Sequence, residues 1–196
     1  MKLVPLRRIE GTPEEMSDQA LVAACATGDS AALGALIDRF QEAVYRFVAR
    51  LLGADGRERD DLVQQTFVEV AQSAARYRGA STVRVWMFGI AANLTRNHIR
   101  GAVRYRAMQN ALSSIPPHTS SRPDVELADR ALVAQLRVAL AALPHPLREA
   151  FVLCEIEELP AAEVAGLLRT STGTIWRRVH EARRALRTAL DEGAAP

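Results

Sequence analysis

Between Ala111 and Asp124 the chain reads Ala-Leu-Ser-Ser-Ile-Pro-Pro-His-Thr-Ser-Ser-Arg-Pro-Asp. Three prolines and four serines in fourteen residues show no helical period and no strand alternation. A chain interrupted in this way folds as two units. On both sides of the interruption apolar residues recur at spacings of three and four, and nowhere does apolar-polar alternation stand between turn signals. Aromatics are only 5% of the 196 residues, and Ala, Leu and Arg dominate, which favours helix over sheet. The expected fold is all-α: two small helical domains joined by a flexible linker. The expected boundaries are a flexible N-terminus over 1–15, a first domain over 16–107, a linker over 108–124 and a second domain over 125–192.

The first domain divides into helices by its caps. Ser17 or Asp18 can cap a helix reaching about Thr27, and Gly28-Asp29 breaks it. A helix over about Ser30–Leu52 follows, with Leu33, Leu36, Ile37, Phe40, Val44, Phe47, Val48 and Leu51 along one face. After a Gly53–Arg59 loop, Asp60 or Asp61 can cap a helix containing Leu62, Val63, Phe67 and Val70. A basic loop from Arg76 to Arg84 leads into a long helix over about Val85–Tyr105. On that helix Ile90, Leu94, Met87, Ala91, Thr95, Phe88, Ala92 and Val103 share the core side, and His98 falls among them as a core histidine. The opposite side is Asn93, Arg96, Asn97, Arg100 and Arg104. Trp86 lies near the start of this polar face. It either stacks on unpaired bases or covers the core edge beneath the Arg78–Arg84 loop.

Charge is strongly segregated under a net of +2. Residues 10–69 carry 12 acids against 5 bases. From Val70 to Pro123 there is no acid and there are eight arginines. Residues 124–168 return to 8 acids against 3 bases, and 169–196 hold 6 bases against 3 acids. Two separate basic blocks point to a polyanion, and arginine suits phosphate geometry. The competing reading pairs these arginines with the acidic segments of the same chain.

In the second domain a helix over about Val125–Leu143 carries the stripe Leu132, Leu136, Leu140 and Leu143, and Pro144 and Pro146 separate it from the next, which runs to about Glu155. Pro160 stands in the first turn of a short helix to Leu168, and a turn over Arg169–Thr172 precedes a basic helix from Gly173. Two short helices joined by such a turn make a helix-turn-helix. Ile175, Val179, Ala182 and Leu186 form the buried side of the second helix. Trp176, Arg177, His180 and Glu181 are placed to read base edges, and Arg178, Arg183, Arg184 and Arg187 to meet phosphates.

Other chemistry finds no support. His98, His118, His145 and His180 are scattered, and no nucleophile-base set, Gly-rich phosphate loop or metal-spaced cluster occurs. No catalytic residue, metal or cofactor is assigned, and the chain is read as a non-enzyme. Cys25 and Cys154 sit in apolar helical contexts and read as buried free thiols. No run of about 18 apolar residues exists, and Pro5, Arg7 and Arg8 interrupt the start. The expected location is the cytoplasm, without membrane insertion.

The strings Asp61-Leu-Val-Gln-Gln-Thr-Phe67, Trp86-Met-Phe-Gly-Ile-Ala-Ala-Asn93 and Arg148-Glu-Ala-Phe-Val-Leu153, followed by Glu163-Val-Ala165 and Gly173-Thr-Ile175, resemble extracytoplasmic-function sigma factors, group IV of the sigma-70 family. The resemblance runs from about Ser17 to Leu190. It implies sigma regions 2 and 4 in the two domains, binding to core RNA polymerase and promoter-specific initiation. It places Asp61, Gln64, Gln65 and Glu69 on the β′ coiled coil of the polymerase, with Leu62 and Phe67 in the core, and a second contact on the β flap. The loop Tyr77–Val85, with Arg78 and Arg84, then holds a flipped −10 base, and Tyr77 and Asn93 match positions lining that pocket. The linker runs toward the RNA exit path. Region 4, including Thr174, reads the −35 duplex. Trp176 and Glu181 depart from the usual basic or small polar residues there, so the common −35 motif is not carried over. Pro160 replaces a frequent capping Ser or Thr. Promoter DNA, duplex and single-stranded, and an anti-sigma factor are the further partners implied. The residues alone also allow a free-standing helix-turn-helix regulator, against which the acid-free stretch and the Asp61–Phe67 string both argue.

Overall fold

A computed structural model describes residues 15–53, 58–112 and 128–193, and all regular structure among them is helical. The expected loose N-terminus up to Glu14, the linker beyond Leu112, the predicted helix start at Val125 and the last three residues lie outside the described residues.

Helix α1 (Asp18–Cys25) starts at Ser17, whose hydroxyl accepts from the Ala20 amide at 3.2 Å. Helix α2 (Ser30–Leu52) starts at Asp29, which accepts from the Ala31 and Ala32 amides, and it ends at Gly53. Helix α3 (Arg59–Ser73) follows Glu58. Asp60 and Asp61, expected as caps, instead stand inside the first turn, where carboxylates still complement the helix dipole. After a 3₁₀ turn (Ala74–Arg76), helix α4 runs over Val83–Leu112, longer at both ends than its periodicity predicts. Thr82 begins it, its hydroxyl accepting from the Val85 amide.

Helices α1 to α4 form the first unit around Leu21, Leu36, Phe47, Val48, Leu51, Val70, Met87 and Phe88. Phe47 and Phe88 stack with centroids 4.4 Å apart, which ties α2 to α4. Val103, expected in the core, is 59% exposed. The reason is length: 30 helical residues reach about 45 Å, twice the span of the 15-residue α3 beside them. His98 is not a core histidine either. It sits half-buried at the edge of α4, its Nε2 against the Glu58 carboxylate that begins α3.

The second unit is α5 (Ala128–Ala142), α6 (His145–Phe151), a π turn (Val152–Ile156), α7 (Ala161–Leu168) and α8 (Thr172–Gly193). Pro144 and Pro160 each stand immediately before a helix, where a missing amide hydrogen costs no bond. Ile175, Val179, Ala182 and Leu186 are all buried as their spacing predicts. Leu136 is 38% exposed, whereas Ala139, Leu140 and Leu143 further along are buried; the side chain of Leu132 lies outside the described residues.

The two units touch. Arg148, buried in α6, donates to the carbonyls of Leu143 and Leu51 at 2.9 Å and to that of Ala141. It thereby joins the end of α2 to the end of α5. Gly53 makes room for it: a Cβ there would lie 2.8 Å from Arg148 Nη1 and 2.9 Å from the Ala141 Cβ. At φ +74 and ψ −132 that backbone also disfavours any side chain. His145 lies in the same region. Burial, and then the charges of Arg148 and Arg96, push its pKa down to about 4.

Gly53→Ala should therefore lower the unfolding free energy by about 2 kcal/mol or more in urea titration. Gly34→Ala, in open space within α2, should match or exceed the parent. A second expectation concerns acid. An unfolded histidine protonates near pH 6.5, but His145 holds off until about 4. The unfolded chain binds the extra proton across that window, so stability falls as pH drops from about 6.5 to 4, by on the order of 3 kcal/mol. Glu149 acts in the opposite sense: burial raises its pKa against the pull of Arg96 and Arg178, so its protonation favours the folded state. His145→Gln should flatten the acid limb of stability against pH, and an unchanged limb would exclude His145 as its source.

Candidate functional site

The sequence-predicted residues fall on three surfaces. The first is the outer side of α3. Asp61, Gln64 and Gln65 are exposed, and Glu69 is half-exposed, 3.5 Å from Arg76. Leu62, Thr66, Phe67 and Val70 take the opposite side into the core. Val68, between Gln64 and Gln65 and the next turn, is 56% exposed and adds an apolar centre to this polar face. Its spacing four residues after Gln64 placed it there, a signal that an apolar residue type masks.

The second surface is the Tyr77–Thr82 loop and the start of α4. Tyr77 donates to the Ser81 carbonyl at 2.6 Å, which closes the loop on itself around Gly79 at φ +70. The Tyr77 and Trp86 rings lie 4.9 Å apart at a 41° tilt, and both are half-buried. Trp86 thus covers the core edge beneath the loop while keeping part of its ring open to solvent. Asn93, Asn97, Arg100 and Arg104 are exposed along α4, with Arg100 donating to the Asn97 carbonyl oxygen at 2.7 Å. Arg78 is exposed in the loop.

Two residues of this set lie elsewhere. Arg84 stands over the Phe88 ring, 5.0 Å from its centroid, on the core side of α4 and away from Asn93. Its Nη2 donates to Glu157 at 2.6 Å. Arg96 lies at the edge of the polar face and donates to Glu149 at 2.7 Å. In this structure both arginines pair with acids of the same chain.

The third surface is α8. The turn before it is set by Arg169 at φ +50, after which the Thr170 amide donates to the Ala165 carbonyl. Ser171 begins α8: its hydroxyl accepts from the Thr174 amide and lies 2.9 Å from the Thr174 hydroxyl. Thr174 is thus tied into the helix start. Trp176 is 57% exposed, and Arg177, His180, Arg184 and Arg187 share the solvent side with it. Glu181 lies 3.4 Å from Arg177, one turn away. Arg183 donates instead to Glu155 at 2.7 Å, and Arg178 is half-buried near Glu149.

No group of three His, Cys, Asp or Glu among the described residues could hold a metal ion, and no helix there is long and apolar enough to cross a membrane. Burial pushes the Cys25 and Cys154 thiols up, away from the reactive thiolate. Sequence reasoning missed Arg50, Glu149, Glu157, Gly89 and Arg148. Their roles arise across the seam between units and leave no local signal.

Known proteins resemble this chain over more than half of its length. The family model for Sigma-70 region 2 matches residues 36–105, and that for Sigma-70, region 4 matches 134–186. SigE of Mycolicibacterium smegmatis, an ECF RNA polymerase sigma factor, is 34% identical over 170 residues, covering 84% of this chain and 65% of its own. The chain thus spans just under two thirds of that relative. SigC of Mycobacterium tuberculosis, also an ECF RNA polymerase sigma factor, is 31% identical over 167 residues, covering 85% of this chain and 88% of its own. The solved structure of CnrH in complex with the cytosolic domain of CnrY superposes with a TM-score of 0.63 at 26% identity, over 89% of this chain and 97% of that one. Both family models and the relatives agree: this chain belongs to the extracytoplasmic-function sigma factors of the sigma-70 family.

Proposed function

We propose a division of labour by which this alternative sigma factor directs core RNA polymerase to promoters. The carrying observation is that α3 turns Asp61, Gln64 and Gln65, with Val68 among them, to solvent while Leu62, Thr66, Phe67 and Val70 are buried in the core. Asp61, Gln64, Gln65 and Glu69, with Val68 among them, dock on the β′ coiled coil of the polymerase. The second domain engages the β flap. Residues 16–107 act as the −10 module, residues 125–192 as the −35 module, and 108–124 as the linker.

In the −10 module the loop closed by Tyr77 holds a base turned out of the duplex. Extrusion costs a few kcal/mol, which stacking and edge hydrogen bonds must return. The open part of Trp86 supplies a stacking surface at the duplex edge, Asn93 reads the base, and Arg78, Asn97, Arg100 and Arg104 hold the strand backbone. In the −35 module α8 enters the major groove. Trp176, Arg177, His180 and Glu181 face base edges, and Arg184 and Arg187 face phosphates. Glu181 accepts from a cytosine amino group, as its carboxylate has no proton to offer a guanine. The chemistry is binding and strand opening, with no covalent step and no cofactor. The protein works in the cytoplasm with its polymerase. CnrH is solved with the cytosolic domain of CnrY, and for this chain the regulator we assign is a protein partner that covers both DNA-facing modules.

Run-off transcription with purified core polymerase and a library of promoter fragments tests the reading. Transcripts that require this chain are expected, and their aligned start sites yield both promoter elements. Absence of transcripts together with failure to bind core would overturn it. Asp61→Ala combined with Gln64→Ala should weaken core binding about tenfold or more, roughly 1.4 kcal/mol. The melting temperature should stay unchanged, since both side chains are exposed. Glu181→Ala should relax base preference at one −35 position while core affinity holds.

A further inference from the structure

Packing does not explain why a tryptophan stands at position 176. Trp176 is 57% exposed, whereas Ile175 before it and Val179 after it are buried. Trp86, the other tryptophan of the chain, rests its ring against Tyr77. No ring or cation contact among the described residues holds the Trp176 indole. It lies in the second turn of α8, just after the start made by Ser171 and Thr174, which is the part of a helix-turn-helix that meets base edges. Thr172 and Gly173, one turn before it, and His180, one turn after it, are exposed. A Cβ on Gly173 would meet nothing nearer than the Ser171 Oγ at 4.0 Å, so the space beside the ring toward the helix start is open. Arg177, Arg184 and Arg187 share the solvent side, and their charge draws a phosphate backbone to it.

An indole is poorly suited to most of what a major groove offers. It has one N–H to donate and nothing to accept with. Laid over a purine edge or a cytosine amino group, its apolar surface strips water from polar atoms without replacing their hydrogen bonds. The C5 methyl of thymine is the one apolar group on the major-groove edges of the four bases. Burying one methyl against the ring is worth about fourfold in affinity. Cytosine has only a hydrogen on that carbon, and 5-methylcytosine carries the methyl that thymine has.

We propose that Trp176 reads the C5 methyl of a pyrimidine in the −35 element: that of thymine in unmodified DNA and that of 5-methylcytosine in methylated DNA. The inference rests on the reading of α8 as the −35 helix, and it names the chemical group that the tryptophan recognises. Glu181 lies five residues on, about 140° round the helix axis, so the methyl contact is separate from the cytosine amino contact assigned to that glutamate. Promoter choice by this sigma factor is thereby responsive to C5 methylation at one base pair.

Competition binding of transcribed promoter duplexes to core polymerase assembled with the full chain tests this. Replacing each −35 thymine in turn by 2′-deoxyuridine removes a methyl and keeps the base pairing. One such replacement should weaken binding about fourfold, and the others by less than twofold. At that same position 5-methylcytosine, paired with guanine, should bind about fourfold tighter than cytosine. W176A should bind the thymine and deoxyuridine duplexes equally, and its melting temperature should match the parent because the side chain is exposed. R187A should weaken every duplex alike and keep the thymine-to-deoxyuridine ratio. Equal binding of thymine and deoxyuridine at every −35 position would overturn the methyl contact, and so would transcribed promoters that share no −35 thymine. A methyl preference that survives in W176A would overturn Trp176 as its reader. The deoxyuridine and 5-methylcytosine series on the unsubstituted chain judges the methyl contact even where W176A binds too weakly to measure. Failure of the sigma reading itself shows differently, as absence of transcripts from unmodified templates, and takes the methyl contact with it.

Discussion

Three ionic groups are buried where the two helical units meet: the guanidinium of Arg148 and the carboxylates of Glu149 and Glu157. Each would cost several kcal/mol if left unpaired away from water. Arg148 finds the free carbonyls at the ends of α2 and α5, which helices leave unsatisfied by construction. The glutamates find Arg50, Arg84 and Arg96. Because Leu51, Arg50, Arg84 and Arg96 belong to the first unit and Arg148, Glu149 and Glu157 to the second, these bonds fix how the halves meet. They also explain Gly53, whose missing side chain leaves the space that Arg148 and Ala141 fill. Burial there, and then the charges of Arg148 and Arg96, disfavour the protonated form of His145.

Function in such a chain lies on what the core leaves over. Each helix spends one face on packing, and the opposite face is free to meet a partner. On α3 that face is Asp61, Gln64, Gln65 and Val68; on α4 it is Asn93, Asn97, Arg100 and Arg104; on α8 it is Trp176, Arg177, His180 and Arg184. Rigid helices hold these side chains at fixed spacing, so partner surfaces are met without prior ordering. The Tyr77–Ser81 bond extends the same logic to a loop, which it closes on itself without a helix.

The segregation of charge along the chain carries two messages at once. An acid-free block of arginines suits a polyanion, and two acids from the next block satisfy part of it inside the folded chain. Arg84 and Arg96 belong to that block and pair with Glu157 and Glu149 in the folded chain.

Much of the architecture could be read from residue order. Spacings of three and four gave α2 its bounds, and the Ile175–Leu186 stripe told the buried side of α8 from the exposed one. Ser17 and the proline-bounded turns marked helix starts, because capping and proline chemistry act within one turn of chain. Family strings added the polymerase and promoter roles. Periodicity failed where a helix outruns its neighbours, as at Val103, since it reports a pattern and not the length of the partner. It failed again at His98, where the start of α3 supplies a carboxylate from 40 positions away. The sequence by itself determined the helices, their inner faces and the break between two units, all short-range consequences of side-chain type. Only the tertiary structure decided that Arg50, Arg84 and Arg96 meet Glu157 and Glu149, across separations of 53 to 107 residues. Charge pairing at that distance depends on how whole helices pack, and no local pattern in the chain encodes it.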